Sequence, residues 1–381
     1  MNAGALRIFF GSRLLVWAAA VYAWLWFTPR RPLPGGLGYL TGIWARSDSD
    51  WFIGIAQHGY ARNGGEVFYP LYPLALAGVG RAFGGHYVVA GIVVSLVCGA
   101  AAFVLLYRLA LVHLDLDGAR RTLLYVAVFP MSLFLQAVYS ESLYLLCAVG
   151  AFVLAERRRW LPAGVVAGLA LLTRISGLAL LPALVWLAWR SAERRRAVAS
   201  VAVALPIGAL FPFWLWLRLD APRSEFTNEV GWSRHFSHAG PLGGLWDGAR
   251  ATWAAIEQLA TGDRTHAFWT GSHSDPLYVA THNLEDSLFF LGFAALGIVA
   301  WRRFGAAYGL YVLVSLAIPL AAPHLGYPLL SMPRFCLTMF PAFLALASLT
   351  GGVRRTRAVA VTSACLLGVA IVAWSAGRWV S

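Results

Sequence analysis

Long apolar runs separated by short polar segments dominate the pattern of hydrophobic and polar positions along this chain of 381 residues. A helix needs roughly 20 apolar residues to cross a bilayer, and the runs predict about eleven spans. The predicted spans are residues 7–28, 86–112, 121–138, 141–155, 161–173, 176–189, 197–219, 286–301, 305–321, 336–350 and 358–376. This pattern predicts an all-α polytopic membrane protein. Since we find neither an internal repeat nor a low-complexity segment, we treat residues 1–381 as one domain.

Composition agrees with this fold class. Hydrophobic residues make up 59% of the chain and charged residues only 12%, about half the share usual in soluble domains. All 30 basic residues are arginine, and the formal net charge is +13. Because the arginines cluster between apolar runs, they follow the positive-inside rule, and we expect no nucleic-acid partner. The four cysteines lie in apolar runs without paired spacing, which argues against a disulfide framework or a cysteine metal site.

The arginine clusters fall in every second loop, which predicts the orientation of the chain in the membrane. They lie at residues 120–121, 156–160, 190–196, 301–304 and 354–357. Together with Arg7 they place the amino terminus in the cytoplasm and the carboxy terminus outside. Two long loops, residues 29–85 and 220–285, are then exoplasmic, and their tryptophans suit helices at the membrane interface. The absence of lysine suggests a GC-rich bacterial host, so the expected location is the bacterial plasma membrane.

Two neighbouring runs, residues 161–173 and 176–189, are shorter than a full span. Each gives about 20 Å of helix, against a hydrocarbon core of ~30 Å. We interpret them as a hairpin that turns at Arg174 and leaves a depression with an arginine at its floor. The alternative is one long helix, but it would place the flanking arginine clusters on opposite sides of the membrane.

Ionisable residues at the edge of a membrane domain are candidates for function. On the predicted exoplasmic side they are few, and they lie near the ends of several predicted helices, so they can converge on one pocket. The candidates are Asp48, Asp50, His58, Tyr139, Glu141, Arg174, His324, Tyr327 and Arg334. No serine–histidine pattern, Walker loop or dinucleotide glycine fingerprint accompanies them.

Carboxylates beside arginines at a membrane surface favour one kind of reaction. A guanidinium binds phosphate bidentately, so Arg174 and Arg334 are candidates to hold a lipid-linked phosphate. A sugar that leaves such a phosphate needs no general acid, and a single aspartate can deprotonate the incoming hydroxyl in an inverting displacement. Glycoside hydrolysis differs, because there an alkoxide must be protonated and two carboxylates are needed.

Simpler explanations exist for the same residues. Asp48 or Asp50 can cap a helix, Tyr139 and Glu141 can complete a helical hairpin, and Arg334 can be an interfacial anchor. A metal site built from the two aspartates and the nearby histidine matches no specific ligand spacing. We therefore expect no metal.

Several stretches of the chain resemble the PIG-V-type mannosyltransferases, which in eukaryotes add the second mannose of the GPI anchor and which have bacterial relatives. The stretches "SDSDWFIGIAQHGY" (47–60) and "FYPLYP" (68–73) resemble the family's first loop, W-D-x-x-W-Y-x-x-I-A-x-x-G-Y followed by F-F-P-L-Y-P. The segment "FPMSLFLQAVYSESLYLL" (129–146) is similar to its proline-containing helix ending in Y-S-E-S-L. "LLTRISGLAL" (171–180) and "MPRFCLTMFPAFLALA" (332–347) resemble its later arginine-bearing motifs.

This resemblance implies a GT-C fold, a polyprenyl-phosphate-sugar donor, usually of mannose, and a catalytic aspartate in the first exoplasmic loop. Counting back from Trp51 aligns Asp48 with the family's acid, whereas the family's preceding tryptophan is Ser47 here. Asp48 is therefore the expected base and Asp50 a second carboxylate.

The expected activity is an inverting transfer of a sugar, with mannose as the expected sugar, to an acceptor hydroxyl on the exoplasmic side. The residues expected to line the substrate pocket are His58, Tyr60, Tyr69, Tyr72, Tyr139, Glu141 and His324. The expected partners are the bilayer, the donor and a glycan, lipid or protein acceptor, with no cofactor. A flippase or transporter of lipid-linked sugars and a non-catalytic membrane subunit are the alternatives. Transporters show ionisable residues in mid-helix or related halves with broken helices, whereas the polar residues of this chain collect on one face.

Overall fold

The computed structural model describes residues 2–27, 38–61, 64–219, 233–269 and 275–380. Its first half contains the helices α1 (Asn2–Phe27), α2 (Asp48–His58), α3 (Leu71–Ala82), α4 (Tyr87–His113), α5 (Leu116–Val128), α6 (Glu141–Glu156), α7 (Trp160–Leu171) and α8 (Leu180–Trp189). Its second half contains α9 (Arg194–Ala202), α10 (Ala204–Leu219), α11 (Pro241–Thr261), α12 (Pro276–Phe304), α13 (Ala306–Ala321), α14 (Met332–Cys336), α15 (Phe340–Leu349) and α16 (Val353–Ser375). Within these residues, extended backbone pairs only in an isolated bridge between Arg234 and His324. The predicted all-α class is confirmed.

Five helical segments of the described residues are long and apolar enough to cross a membrane. They are α1, α4, the segment Arg194–Leu219 that joins α9 and α10, α12 and α16. Shorter apolar helices accompany them at α7, Ile175–Trp189, α13 and α15. The chain is therefore a multi-pass membrane protein, whereas the count of eleven spans stays a prediction.

The predicted span 121–138 is not one helix, and this correction places part of the site. Helix α5 ends at Val128, because Phe129 takes the extended conformation that a following proline favours. A 3₁₀ helix at Ser132–Leu135 follows, and α6 begins only at Glu141. The segment between α5 and α6 therefore brings its backbone and side chains to one end of the bundle.

Helix α12 is longer than the run 286–301 predicted. It begins ten residues earlier, where the side chain of Asp275 accepts a hydrogen bond of 2.9 Å from the backbone N–H of Leu277 and Pro276 occupies the first turn. An aspartate cap followed by a proline is a favourable helix start. The longer helix therefore includes polar residues that the hydropathy pattern had placed in a loop.

The two long loops carry helices, as predicted. Residues 38–85 contain α2 and α3, and residues 233–285 contain α11 and the first turns of α12. The tryptophans Trp246 and Trp253 of α11 are exposed. Residues 29–37, 62–63, 220–232 and 270–274 of these loops lie outside the described residues.

The helices form a bundle with two distinct ends. Helix α6 packs against α4 and α7, and α12 packs against α11 and α13. We call the end that carries α2 and the start of α6 the site end. At the other end, the hydroxyl of Tyr308 in α13 donates a hydrogen bond of 2.8 Å to Glu156 of α6. The same hydroxyl lies 2.7 Å from Nε2 of His113 at the end of α4.

A buried arginine joins α1 to the end of α5. Arg13 is only 2% exposed and donates hydrogen bonds to the carbonyl oxygen of Ala127 at 2.7 Å, to Oγ of Ser132 at 3.2 Å and to the carbonyl oxygen of Ser132. The last carbonyls of a helix have no partner within it. Among the described residues no carboxylate pairs with Arg13, so the guanidinium is held by backbone and hydroxyl oxygens.

Candidate active site

The two aspartates of "SDSD" both lie in the first turn of α2 but face different surroundings. Ser47, in a left-handed conformation with φ of 53°, precedes the helix and makes no side-chain capping bond. Asp48 Oδ2 lies 2.6 Å from Nη1 of Arg334. Asp50 is exposed, and within the described part of the chain it forms no ion pair. Partial desolvation by the surrounding protein raises the pKa of Asp50 above its ordinary value, although the residue is exposed.

The segment between α5 and α6 fixes the start of α2. The hydroxyl of Tyr139 donates to the carbonyl oxygen of Arg46 at 3.1 Å and accepts from the backbone N–H of Asp48 at 3.3 Å. The backbone N–H of Val138 donates to the carbonyl oxygen of Trp44 at 2.9 Å. Tyr139 therefore holds the backbone on both sides of Ser47, and its position depends on the break that follows α5.

Glu141 is the first residue of α6, and its side chain is fully buried. Its Oε1 forms an ion pair with Nη1 of Arg174 and lies 3.5 Å from Nε of Arg334. Its Oε2 has no hydrogen-bond partner among the described residues. A buried carboxylate is tolerated when cations compensate it, and here two guanidinium groups share one oxygen.

Arg174 occupies the break between α7 and the 3₁₀ helix Ile175–Ala179. Its backbone is extended, with φ of −159°, and Nη1 also lies 3.5 Å from Oγ of Ser140. The structure therefore has the predicted helical break at Arg174 rather than one long helix.

Arg334 lies in the short helix α14 and connects the two carboxylates. Ser331, with φ of 68°, precedes this helix, and the backbone N–H of Met332 donates to Oδ1 of Asp286 at 3.2 Å. The guanidinium carbon of Arg334 lies 5.7 Å from the ring centre of Phe134 and 5.6 Å from that of Tyr139. Cation–π contacts of this kind attract the guanidinium to the ring faces, which fixes the position of Arg334.

Four side chains from four separate segments thus form one ion-pair cluster, made of Asp48, Glu141, Arg174 and Arg334. Their side chains are 22%, 0%, 14% and 15% exposed, respectively. Two negative and two positive charges balance. The exposed edge of the ion-pair cluster lies at Asp48, whereas Glu141 is at its buried centre.

The other predicted pocket residues lie around this cluster at different depths. Tyr60 donates a hydrogen bond of 2.6 Å to the carbonyl oxygen of Phe68, and both Tyr60 and Tyr69 pack against Phe211 of α10. Tyr72 is fully buried, and its hydroxyl lies 3.2 Å from Oγ of Ser95. Tyr72 therefore packs behind α2, and its contact with a substrate stays a prediction.

Among the described residues, neither His58 nor His324 is hydrogen-bonded to the ion-pair cluster. His58 is the exposed last residue of α2, about 15 Å along the helix from Asp48. His324 Nδ1 accepts hydrogen bonds from the backbone N–H groups of Gly326 and Tyr327 at 3.0 and 3.1 Å. Burial, followed by the positive charge of Arg234, lowers the pKa of His324 to about 4. No cluster of three or more metal-ligating side chains occurs among the described residues.

Three residues near the site were missed by the sequence reasoning. Trp374 of α16 donates a hydrogen bond of 2.7 Å to the carbonyl oxygen of Ile43, and its ring lies 5.8 Å from that of Tyr139. Asp286 is buried beside α14, and the half-buried Arg234 donates hydrogen bonds to the carbonyl oxygens of Ala322 at 2.9 Å and Leu330 at 3.4 Å. Asp286 had a signal in the sequence, because it is a carboxylate at the edge of an apolar run.

This chain is similar to known proteins in part of its sequence and in its fold. The family model described as Mannosyltransferase (PIG-V) matches residues 37–189. ArnT from Cupriavidus metallidurans, solved with undecaprenyl phosphate bound, is similar with a TM-score of 0.51 at 15% identity, over 92% of this chain and 62% of that chain. The oligosaccharyltransferase of Archaeoglobus fulgidus, tethered with an acceptor peptide, gives a TM-score of 0.46 at 14% identity, over 97% and 56%.

The chain spans about three-fifths of the length of these two structures. No curated protein sequence matches it. At such low identity the similarity to ArnT shows the fold, which is GT-C as predicted. The family match covers Asp48, Glu141 and Arg174 of the ion-pair cluster. Over residues 37–189, the resemblance of this chain to the PIG-V mannosyltransferases is confirmed.

Proposed function

We propose that this protein is an inverting glycosyltransferase that moves a sugar, mannose in our expectation, from a polyprenyl phosphate to an acceptor hydroxyl on the exoplasmic side of a bacterial plasma membrane. The ion-pair cluster carries this proposal. It unites a carboxylate at the exposed edge with two arginines behind it, and the arginines supply the cationic groups that a lipid phosphate needs.

In this proposal Arg174 and Arg334 bind the donor phosphate, and Glu141 keeps both guanidinium groups in place between turnovers. Each already has an oxygen anion as its partner, Glu141 for Arg174 and Asp48 for Arg334. A phosphate that enters beside Asp48 replaces one of these oxygens. Arg334 then releases Asp48, whose carboxylate becomes available as a base.

The bond changes follow from this arrangement. Asp48 takes the proton of the acceptor hydroxyl. At the same time the oxygen of that hydroxyl attacks the anomeric carbon on the face opposite the phosphate. The new carbon–oxygen bond forms as the bond to the phosphate oxygen breaks, and polyprenyl phosphate leaves as an anion held by the arginines. No general acid is needed, because the leaving group is already a stable anion. The reaction as written uses no cofactor.

Radiolabelled polyprenyl-phosphate-mannose, supplied to the protein in lipid nanodiscs, tests this function. We expect the wild-type protein to release or transfer labelled sugar. Loss of a general base typically lowers the rate by about 10²–10⁴-fold. We therefore expect the transfer rate of Asp48→Asn to be lower than that of wild-type protein by a factor in this range. Asp50→Asn is the matched control, since Asp50 lies in the same turn and forms no ion pair with any residue that the structure describes. This variant should retain more than about a tenth of the activity.

The same preparation separates the enzyme from the alternatives. A flippase moves intact donor across the bilayer of a proteoliposome without cleaving it, and a non-catalytic subunit does neither. If wild-type protein and Asp48→Asn cleave the donor equally fast, the protein is a glycosyltransferase but Asp48 is not its base. Intact donor after incubation with every acceptor class, namely glycans, lipids and peptides, would reject the function.

A further inference from the structure

Four aromatic side chains gather at the site end outside the ion-pair cluster. Tyr278 and His282, one turn apart on α12, have ring centres 4.0 Å apart. His282 stacks on Trp379, with ring centres 5.4 Å apart and planes 22° from parallel. Tyr327 lies 6.0 Å from Trp379 and 6.2 Å from His282. We call Tyr278, His282 and Trp379 the aromatic platform, and buried Tyr327 forms its floor.

The aromatic platform is joined to the ion-pair cluster through the end of α16. Trp374, in the last turn of this helix, contacts Tyr139 and bonds the backbone of Ile43. A Cβ placed on Gly377, whose φ is +74°, would lie only 2.7 Å from Nη1 of Arg46. Trp379 follows two residues later, and Arg46 precedes Asp48 by two residues. The segment that carries Trp379 therefore contacts the side chain of Arg46, just before α2.

A second connection runs through α12 and α14. The floor residue Tyr327 precedes α14 by five residues, and the backbone of Met332 in α14 is bonded to Asp286 of α12. Because the same helix carries Tyr278 and His282, the platform and Arg334 are held in one packed unit.

Membrane-interface aromatics are the simplest explanation of such residues, but the geometry here is different. Helix α12 has 29 residues, or about 43 Å at helical rise, so it exceeds the ~30 Å hydrocarbon core. Tyr278 and His282 lie in its first two turns. Their rings contact one another and Tyr327, which leaves each platform ring only partly exposed.

The polar edges of the platform complement a sugar. Nδ1 of His282 lies 2.9 Å from the carbonyl oxygen of Tyr278, and since a carbonyl only accepts, Nδ1 carries the hydrogen. In the neutral ring Nε2 is then an acceptor, and no described residue bonds it. Glu285 and Arg378 are charged residues near enough to act electrostatically on the hydroxyl of Tyr278.

We propose that the aromatic platform binds a pyranose ring of the acceptor, next to the hydroxyl that Asp48 deprotonates. A pyranose has an apolar face of C–H groups and an edge of hydroxyls, which matches ring faces bordered by an imidazole acceptor and charged groups. The acceptor is then a glycan or glycolipid rather than a bare protein hydroxyl. This inference rests on the proposed function only for its transfer step. Binding of the sugar ring to the platform does not depend on that function.

Saturation-transfer NMR with methyl α-D-mannopyranoside and the full protein in nanodiscs tests the binding directly. We expect ring-proton signals with wild-type protein, at least a fivefold loss in Trp379→Ala and in His282→Ala, and partial recovery in Trp379→Phe. Trp246→Ala is the control, because Trp246 is an exposed tryptophan on α11, and its signal should stay unchanged. Thermal unfolding of each variant verifies that it is folded.

The transfer step is tested with octyl α-D-mannopyranoside as acceptor and labelled polyprenyl-phosphate-mannose as donor. We expect Trp379→Phe to raise KM for the acceptor about threefold and Trp379→Ala about tenfold, with KM for the donor unchanged. Sugar binding without any donor cleavage would reject the proposed function and keep the platform. Donor cleavage with no ring-proton signal, or equal signals in wild-type and Trp379→Ala protein, would overturn the platform.

Discussion

The ion pair between Arg334 and Asp48 leads to a prediction that runs against intuition. If Arg334 must leave Asp48 to bind the donor phosphate, then Asp48 competes with the donor for the same guanidinium. Replacing Asp48 by asparagine removes this competitor while leaving Glu141 3.5 Å from Nε of Arg334. We therefore expect Asp48→Asn to bind a lipid phosphate more tightly than the wild-type protein, although it loses transfer activity.

The size of the effect follows from the geometry of the pair. Arg334 Nη1 and Asp48 Oδ2 are 2.6 Å apart, the distance of a good charge-assisted hydrogen bond, and such bonds contribute about 1.5–3 kcal/mol net. The partial exposure of both side chains places the pair at the lower end of this range. Asparagine also still accepts a weaker bond through its carbonyl. A gain of about 1.4 kcal/mol corresponds to about a tenfold lower Kd.

Binding of tritiated undecaprenyl phosphate to protein in nanodiscs measures this quantity without any turnover. The expected result is a Kd about tenfold lower for Asp48→Asn than for wild-type protein. Asp50→Asn is the matched control for charge. It removes the same formal charge two residues from Asp48, at a position that forms no ion pair among the described residues. Its Kd should change by less than about twofold, since an exposed charge is screened by solvent and salt.

Equal or weaker binding by Asp48→Asn would show that Arg334 does not exchange Asp48 for the phosphate. An equal gain in Asp50→Asn would show that only the overall negative charge at the start of α2 opposes the lipid phosphate. Either result would refute the exchange that the proposed reaction requires.

Three further predictions concern stability, each measured in detergent micelles. Glu141→Gln should lose about 3–5 kcal/mol of unfolding free energy, because it removes the carboxylate that pairs with the partly buried Arg174. In denaturant titration the exposed control Glu193→Gln should lose less than about 1 kcal/mol. Arg13→Leu should unfold at a lower temperature than Leu14→Ala, since only the former removes hydrogen bonds to the buried carbonyl oxygens of Ala127 and Ser132. The pKa of His324 is lowered to about 4 in the folded protein, so its contribution is present above its ordinary pKa near 6.5 and is lost as pH falls towards 4. Thermal unfolding should show a loss of about 1–2 kcal/mol over that window in wild-type protein that is absent in His324→Asn, which keeps an acceptor but does not titrate.

The sequence could predict which residues form the site better than how they pair. Asp48, Glu141, Arg174 and Arg334 were all candidates because an ionisable residue at a membrane edge is unusual. Their pairing depends on contacts between residues up to 286 positions apart, and no local pattern encodes such contacts. The central position of Glu141 therefore required the structure.

The difference between the two aspartates was partly accessible from local geometry. Residues two positions apart on a helix are about 200° apart around its axis, so Asp48 and Asp50 cannot face the same partner once α2 begins at Asp48. The break after α5 was also accessible, because Phe129 precedes a proline. By contrast, hydropathy alone could not reveal that α12 begins at Pro276, since its first turns carry polar and aromatic residues.

The guanidinium of Arg13 has a consequence for how the chain enters the membrane. An arginine at the centre of a lone helix opposes insertion by roughly 2.5–3.5 kcal/mol. Its hydrogen-bond acceptors, Ala127 and Ser132, are synthesised 114 and 119 residues later. Until they arrive, α1 must keep its arginine near water or lipid headgroups. We therefore expect α1 to reach its final depth only after the chain through Ser132 has been synthesised.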